Sequence, residues 1–531
     1  MVIFLRFQLA SLMGLIFSIS LLGGCSTPIV KATDATSPNQ YVGWIPDSYK
    51  TKAADGLPKL KEQWWLDFND SELNRLVDQA LTNNYDLRIA IARVSQSRAQ
   101  ADAVRSTLFP TIDLVTGYSV QAPQYGVGSA TNMSQWNALS SYQVGVQANY
   151  EVDIWGKKGF NTDSAMSQAM ASEYNREAIA LSLIGDVITN YFLYLSLNEQ
   201  VTVGERNLKE IYKISQGIQR RVNMGDATLI DLSQQSVMQN NTEGIVISQR
   251  LQRDNAFNRL AALLGLTPSL LVVKTQSLEE VTPAIVSPGL PSDLLCRRPD
   301  IRRAEAMFKG SQSDLYAARA NILPSFVLSG GGGYGSTALS ALTAPQSLFY
   351  NFTANLIAHL FDGGRRDAEE RVADAKNVEM LESYASTVIA ALRDVESALS
   401  AVELSKESYL TLNQARIQAQ GLSKMSSRVV EMGGMDYVQL YEIQRIVFNA
   451  ENAAINARYD QLRSSVDLFK ALGGGMKLEK DPCLGGGNLP PPTTAWIGEV
   501  KLLEASAKEL PPQPNNQKIL LNNSALPNVA Q

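Results

Sequence analysis

Histidine is nearly absent from this sequence of 531 residues, and the single example is His359. One histidine excludes metal sites built on several imidazoles and argues strongly against a catalytic triad that uses a histidine base. The run of glycines at 330–333 is not followed by the Lys and Ser or Thr of a phosphate-binding loop. The formal net charge of −5 comes with no basic stripe, which argues against nucleic acid as a partner. These absences predict a protein that is not an enzyme and that needs no cofactor or metal.

Long apolar runs are also scarce beyond the N-terminus. No stretch after residue 25 reaches the roughly 20 apolar residues of a membrane helix, so any membrane crossing is expected to use strands. Of the 3 cysteines, Cys296 and Cys483 have no metal-binding spacing. They can pair in an oxidising compartment, but two stray small residues is the favoured interpretation.

The first 24 residues have the features of an export signal. Arg6 precedes an apolar run from Leu9 to Leu22, which ends in Leu22-Gly23-Gly24-Cys25. This ending resembles the bacterial lipobox, in which the cysteine is lipidated and becomes the mature N-terminus. We therefore expect a signal peptide at 1–24 and lipidation of Cys25, and Ser26 is compatible with passage to the outer membrane. The alternative is an ordinary secretory signal with an incidental cysteine.

The chain contains two copies of one unit, 208 positions apart. Gly225 corresponds to Gly433, and Leu232 corresponds to Leu440. Further matching pairs are Gly156-Lys157 with Gly364-Arg365, Asp186-Val187 with Asp394-Val395, and Leu264-Gly265 with Leu472-Gly473. A duplication on this scale predicts two structural repeats.

Each copy contains two segments in which apolar and polar residues alternate, the period of a β-strand. They span about 111–121 and 141–152 in the first copy and about 326–335 and 348–359 in the second. The polar faces carry Gln, Asn, Thr and Gly rather than the Lys and Glu of a solvated sheet, which favours the interior of a membrane barrel. The alternative is a soluble sheet packed on a core.

Long helices follow each strand pair. Segments 159–223 and 366–431 contain no proline, show heptad-like spacing and reach roughly 95–100 Å as helices. Glycine turns near 225 and 433 end them, and the returning helices 228–264 and 436–472 span only about 55 Å. Helices 86–108 and 299–321, stacked end to end on the returning helices, supply the missing length.

These elements give the expected domain organisation. A lipid-anchored tether and belt spans 25–70, the first repeat spans 71–272, a linker spans 273–297, and the second repeat spans 298–474. The segment 475–531, rich in Pro and Asn, is expected to be a mostly disordered tail. Four strands cannot close a barrel, and an open edge is forbidden in lipid, so cyclic self-association is expected.

Several motifs in a fixed order carry a resemblance to a known family. The chain resembles the TolC-like outer-membrane efflux proteins, in the NodT-type lipoprotein branch, over roughly residues 20–476. The motifs are Trp64-Trp65-Leu66-Asp67-Phe68, Tyr150-Glu151-Val152-Asp153-Ile154-Trp155-Gly156-Lys157, Arg297-Arg298-Pro299-Asp300-Ile301, Phe361-Asp362-Gly363-Gly364-Arg365-Arg366 and Lys470-Ala471-Leu472-Gly473-Gly474-Gly475.

The resemblance implies a fold that is mainly α with membrane β. It implies a homotrimer in the outer membrane, whose 12-stranded β-barrel continues into a 12-helix periplasmic α-barrel. The partners it implies are a periplasmic adaptor protein and an inner-membrane pump, in addition to outer-membrane lipid.

The same resemblance implies where gating residues lie. Family members constrict the periplasmic end with carboxylates about six and nine positions past the tip glycine. Those positions hold Gln439 and Glu442 in the second copy and Asp231 in the first, so Asp231 and Glu442 are the candidate ring. The alternative is that both are ordinary charges on a solvated helix face. Exposed tip residues are the candidates for adaptor docking, namely Arg220, Met224, Gly225, Asp226, Arg428, Gly433, Gly434 and Met435.

Three functions remain open at this point. The favoured one is a passive duct that exports drugs and other toxic small molecules as the outer part of a tripartite pump. The second is the outer-membrane duct of a type I protein secretion system. The third is a coiled-coil envelope lipoprotein without a channel.

Overall fold

The computed structural model describes residues 45–51, 57–58, 60–121, 139–274, 277–432 and 434–474. Cys25 with the expected signal peptide, Gly433, Cys483 and the expected tail lie outside the described residues.

The described chain contains two similar series of helices and strands. In the first, α1 spans Ser71–Asn83, α2 Tyr85–Ser106, β1 Thr111–Gln121, β2 Leu139–Val152, α3 Lys157–Met224 and α4 Leu229–Leu263. A short α5 at Leu294–Arg297 follows. In the second series, α6 spans Pro299–Ala320, β3 Ser325–Ser336, β4 Leu348–Ile357, α7 Arg365–Glu431 and α8 Tyr437–Ala471.

The strands form one antiparallel sheet in the order β1-β2-β3-β4. β2 pairs with β3, so the sheet is continuous across the two repeats, and β1 and β4 are its outer strands. β4 is shorter than expected, because Ile357 pairs with Ser325, the first residue of β3. The expectation that His359 lies on this strand is therefore wrong. Its Nδ1 lies 2.5 Å from Nη2 of Arg366, near the start of α7.

The helices pack side by side in one layer, in which α3 and α7 run the full length and shorter helices occupy the other two positions. Near the strands the order is α2-α3-α6-α7, and toward the helical hairpin ends it is α4-α3-α8-α7. The shorter helices stack in columns: Asn84 Nδ2, before α2, donates to Leu263 O at the end of α4 at 2.9 Å. Likewise Arg298 Nη1, before α6, donates to Ala471 O at the end of α8 at 3.1 Å.

Glycine permits the close approach at both column junctions. Gly265 has φ +69°, and a Cβ there would lie 2.6 Å from Asn83 O. Gly473 has φ +88°, and a Cβ there would lie 2.7 Å from Arg297 O. Both the left-handed conformation and the contact exclude a side chain. The repeated junction explains why Leu-Gly recurs at the same place in each copy.

The main apolar core lies around these junctions and includes part of the expected belt. Trp64 is fully buried, and its ring stacks on Phe469 at 4.7 Å between centroids. Phe68 packs edge-on against Phe192 of α3 at 5.3 Å. The segment before α1 is thus fastened to helices of both repeats.

Two sequence expectations need correction. α3 contains an 18-residue window with mean hydropathy 1.5, long and apolar enough by composition to span a membrane, so long apolar segments are not confined to the N-terminus. Of that window 44% is buried, and Val187, Ile188 and Leu195 of α3 belong to the main core. Cys296 is disulfide-bonded, so its interpretation as a stray residue is wrong.

Candidate functional site: the hairpin tips

The first tip is the turn between α3 and α4. Gly225 has φ +82°, and the N–H groups of Gly225 and Asp226 donate to Val222 O at 3.1 Å and Arg221 O at 2.8 Å. These bonds satisfy carbonyls that the helix end leaves free. A Cβ on Gly225 would meet nothing within 4 Å, so its outer surface is open.

The candidate gate residue Asp231 takes part in the cap of α4. Its Oδ2 accepts from Thr228 N at 2.9 Å and from Thr228 Oγ1 at 2.8 Å. Thr228 Oγ1 in turn accepts from Asp231 N at 3.2 Å, which completes a capping box. These hydrogen bonds, the backbone one first, lower the pKa of Asp231 below its ordinary value. Asp231 therefore has a structural role that the sequence interpretation did not assign to it.

The second tip joins α7 to α8. Met432 N donates to Arg428 O at 3.2 Å, and Gly434 N donates to Val429 O at 2.9 Å. Arg428 and Gly434 are exposed, and Met435 is half-buried. Docking candidates from this tip therefore present both charge and apolar surface, except for Gly433, which lies outside the described residues.

The remaining gate candidates lie on α8. Gln439 is exposed, and Glu442 Oε2 accepts from Arg445 Nη2 at 2.7 Å and from Arg445 Nε at 3.0 Å. This pair offsets the charge of Glu442 within one turn of helix. Asp231 on α4 and Glu442 on α8 therefore belong to two helices that both pack against α3.

An ion pair joins the two tips. Arg221, in the last turn of α3, places Nη1 3.7 Å from Asp436 Oδ1, just before α8. The side chains are 40% and 61% exposed. Arg221 Nη2 also donates to Asp226 O at 3.3 Å, so one guanidinium contacts both turns. The sequence interpretation missed this pair, because no periodic pattern relates residues on separate hairpins.

Little apolar packing supports the tips. A small cluster, separate from the main core, contains the buried side chains Ile214, Ile218 and Leu440. Farther from the tips the repeats are joined by partly buried polar contacts, such as Gln200 Nε2 to Asn456 Oδ1 at 2.9 Å and Gln249 Nε2 to Asn452 Oδ1 at 3.1 Å. Segments with few buried apolar contacts separate at low free-energy cost, so the tips are suited to movement.

The tip surface is apolar as well as charged. Met224 of the first tip and Met432 of the second are largely exposed, and Arg220 is exposed while its Nε donates to Gln216 O at 3.3 Å. Leu229 and Ile230, in the first turn of α4, are also exposed. Contiguous exposed apolar side chains with charged neighbours are typical of protein-binding surfaces. Within the described residues there is no group of His, Cys, Asp and Glu suited to hold a metal ion.

Away from the tips, a cavity of about 500 Å³ lies where α3, α6, α7 and α8 meet. Arg298 Nη2 donates to Asp300 Oδ2 at 2.6 Å and to Asp394 Oδ2 at 3.4 Å in its wall. Burial alone would raise the pKa of Asp300, but the hydrogen bonds from Arg298 outweigh burial and hold that pKa below its usual value. The network fastens the start of α6 to α7, which accounts for these charges architecturally.

Comparison with known proteins adds independent findings. The family described as "Outer membrane efflux protein" matches residues 76–266 and 290–474. The pyoverdine export outer membrane protein OpmQ of Pseudomonas aeruginosa is 32% identical over 478 residues, covering 88% of this chain and 98% of that protein. The probable outer membrane lipoprotein SilC of Salmonella typhimurium is 25% identical, covering 87% of this chain and 98% of that protein. The solved structure of the outer-membrane channel OprN matches with a TM-score of 0.75 and 26% identity, covering 81% of this chain and 97% of that one.

Proposed function

Because this chain belongs to the outer membrane efflux protein family, it is an outer-membrane channel component of an efflux system, and we propose that three copies of it form the complete duct. The duct takes small organic molecules from a periplasmic adaptor and an inner-membrane pump to the exterior. Lipidation of Cys25 anchors each copy to the outer membrane.

The main support for the proposal is that the sheet and the helix layer of the protomer each have two uncovered edges. β1 and β4 are the outer strands of the sheet, and β4 is exposed along most of its length. The outer helices α4 and α7 carry exposed apolar side chains, among them Ile247 and Leu251 on α4 and Leu404 and Leu410 on α7. A second copy that adds its β1 to β4 and its α4 to α7 covers both edges with one interface. Repetition of that heterologous contact closes a ring.

The faces of the sheet support a water-filled interior. One face carries apolar side chains such as Leu114, Val146 and Phe352, and the other carries Gln147, Asn149 and Asn351. In a closed barrel the apolar face meets lipid, and the polar face lines the duct.

The tips are the proposed site of docking and gating. Met224, Gly225 and Asp226 of the first tip, with Arg428, Gly434 and Met435 of the second, present an open surface to an adaptor. Replacing Gly433 and Gly434 with valine is expected to abolish export in cells while the assembled ring still forms. Normal export by that variant would refute docking at this tip.

The gate proposal concerns the carboxylates near the tips. Asp231 and Glu442, each in several copies around the closed ring, repel one another and favour cations, an effect that salt screens. The variant Asp231→Asn with Glu442→Gln should change single-channel conductance and cation selectivity. Unchanged values of both would end this proposal.

Channel formation itself is tested by reconstituting the purified full-length protein in planar bilayers. We expect discrete conductance steps, because a closed barrel with a polar interior conducts ions. The absence of any channel from protein that is folded by circular dichroism would contradict the proposed duct.

A further inference from the structure

The polar face of the sheet carries one aromatic side chain among the described strand residues, Phe349 of β4. The register places Phe349 in a row across all four strands with Val115, Gly145 and Gly333. Its neighbours on that face of β4 are Asn351 and Thr353, in keeping with the polar pattern. Phe349 therefore departs from the alternation that Asn351, Thr353 and Asn355 follow on that face.

The ring of Phe349 lies over a bare strip of backbone. A Cβ on Gly335 would lie 3.6 Å from Cδ1 and 3.7 Å from Cε1 of Phe349, so the ring occupies the space above Gly335 at ordinary contact distance. A Cβ on Gly145 would lie 2.7 Å from Gly332 O, and one on Gly333 would clash with Val144 O. These glycines cannot carry side chains, and the Phe349 ring, which is half-buried, stands beside this strip of backbone.

Covering glycines does not require a ring on this face. Phe352, on the same strand, covers Gly330 from the apolar face, where a Cβ on Gly330 would lie 3.5 Å from its Cδ2. Phe352 is 74% exposed on the face proposed to meet lipid, where an aromatic ring is favourable. On a wetted face an exposed ring loses that benefit, and Asn or Gln would serve better. The position of Phe349 thus calls for a different explanation.

We propose that Phe349 is a specificity-determining residue that contacts exported solutes inside the duct and favours aromatic ones. The inference rests on the proposed function, which makes the polar face the wall of the conduit. Phe349 is the second residue of β4, at the end of the strand farthest from α7, so it lies near the outer mouth. Aromatic pairs and cations over aromatic rings gain favourable free energy beyond the area they bury.

The dimensions keep these rings from plugging the duct. With strands about 4.8 Å apart and tilted by about 40°, twelve strands give a barrel radius of about 12 Å. A phenylalanine that lies along the wall leaves most of that width open. Phe349 should therefore affect binding of aromatic solutes much more than the flow of small ions.

The test uses the full-length protein in planar bilayers and two probes of equal charge. Tetraphenylphosphonium is an aromatic cation, and tetraethylammonium is its aliphatic counterpart. We expect Phe349→Ala to raise the concentration of tetraphenylphosphonium that half-blocks the current by about three- to tenfold. Tetraethylammonium block should stay the same, and Phe349→Trp should keep the wild-type preference. The matched control Phe352→Ala removes the same ring from the opposite face and should leave both probes unaffected.

The outcomes separate the inference from the proposed function. If the wild-type protein forms no channels, both the proposed duct and this inference are contradicted. Wild-type channels combined with equal tetraphenylphosphonium block in Phe349→Ala overturn the inference alone. If Phe349→Ala does not assemble, Phe349→Leu keeps a side chain over Gly335 without a ring, and unchanged block in that variant also overturns it.

Discussion

Neutralising Asp436 tests whether the ion pair between the two tips holds the duct closed. The pair with Arg221 spans 3.7 Å, and both side chains are more than a third exposed. Exposed pairs of this kind contribute about 0.5 kcal/mol each. If opening breaks the pair in all three protomers, loss of about 1.5 kcal/mol raises the ratio of open to closed channels about tenfold.

The assay is the open probability of single channels in planar bilayers at low salt. Asp436→Asn should raise it, and Arg221→Gln should raise it similarly, with a further contribution from its bond to Asp226 O. The double variant should open less than the sum of the two single effects predicts, because either single change already removes the pair. The effect should shrink at about 1 M salt, where the Debye length falls to about 3 Å.

The matched control removes a carboxylate that does not join the hairpins. Glu210 pairs with Lys213 at 2.7 Å within α3, at comparable exposure. Glu210→Gln should leave the open probability unchanged. If Asp436→Asn behaves like Glu210→Gln, or if the two single changes add fully in the double variant, the pair is not a lock.

Three further predictions concern stability, measured as thermal or denaturant unfolding in detergent. Trp64→Ala should lower the free energy of unfolding by about 3–5 kcal/mol. Trp64→Phe should lower it much less, because Phe keeps the stack on Phe469 and the buried indole N–H that it removes has no acceptor among the described residues. Equal losses in the two variants would contradict the stacking argument. Gly225→Ala should lower the free energy of unfolding by about 1–2 kcal/mol because of its positive φ. Gly265→Ala should lower it by about 1–3 kcal/mol more, because its Cβ would also clash with Asn83 O. Similar losses in the two variants would refute the role of close packing. The pKa of Asp300 is lowered in the folded state, so its contribution to stability is present above the ordinary carboxyl range and is lost as pH falls through the folded pKa. Below about pH 4 the wild-type protein should therefore lose more stability than Asp300→Asn does. Parallel pH profiles of the two proteins would rule this out.

Local signals in the sequence predicted local structure well. Asp70 precedes α1 and is of a residue type that favours the N-cap, and its Oδ1 accepts from Glu72 N at 2.9 Å and from Leu73 N at 3.0 Å. The alternation of apolar and polar residues gave the strands, because one face of each must differ from the other. The capping box of Thr228 and Asp231 was equally readable, since Thr followed three residues later by an acid is its pattern. The family pattern of gating carboxylates near this tip led instead to the interpretation of Asp231 as a gate residue.

Features that depend on distant partners were not readable. The end of β4 at Ile357 is set by where β3 begins, which the alternation through His359 does not show. The bridge from Arg221 to Asp436 links residues that only the fold brings together. α3 is long and apolar enough by composition to cross a membrane, and the sequence does not show that its Val187 and Ile188 pack in the main core.

The mass of the assembly in mild detergent tests the central claim most directly. We propose that the sheet with outer strands β1 and β4 closes through other copies of the chain, so native mass spectrometry of the full-length protein should give three protomers per particle. A stable monomer that remains soluble without detergent would contradict the account.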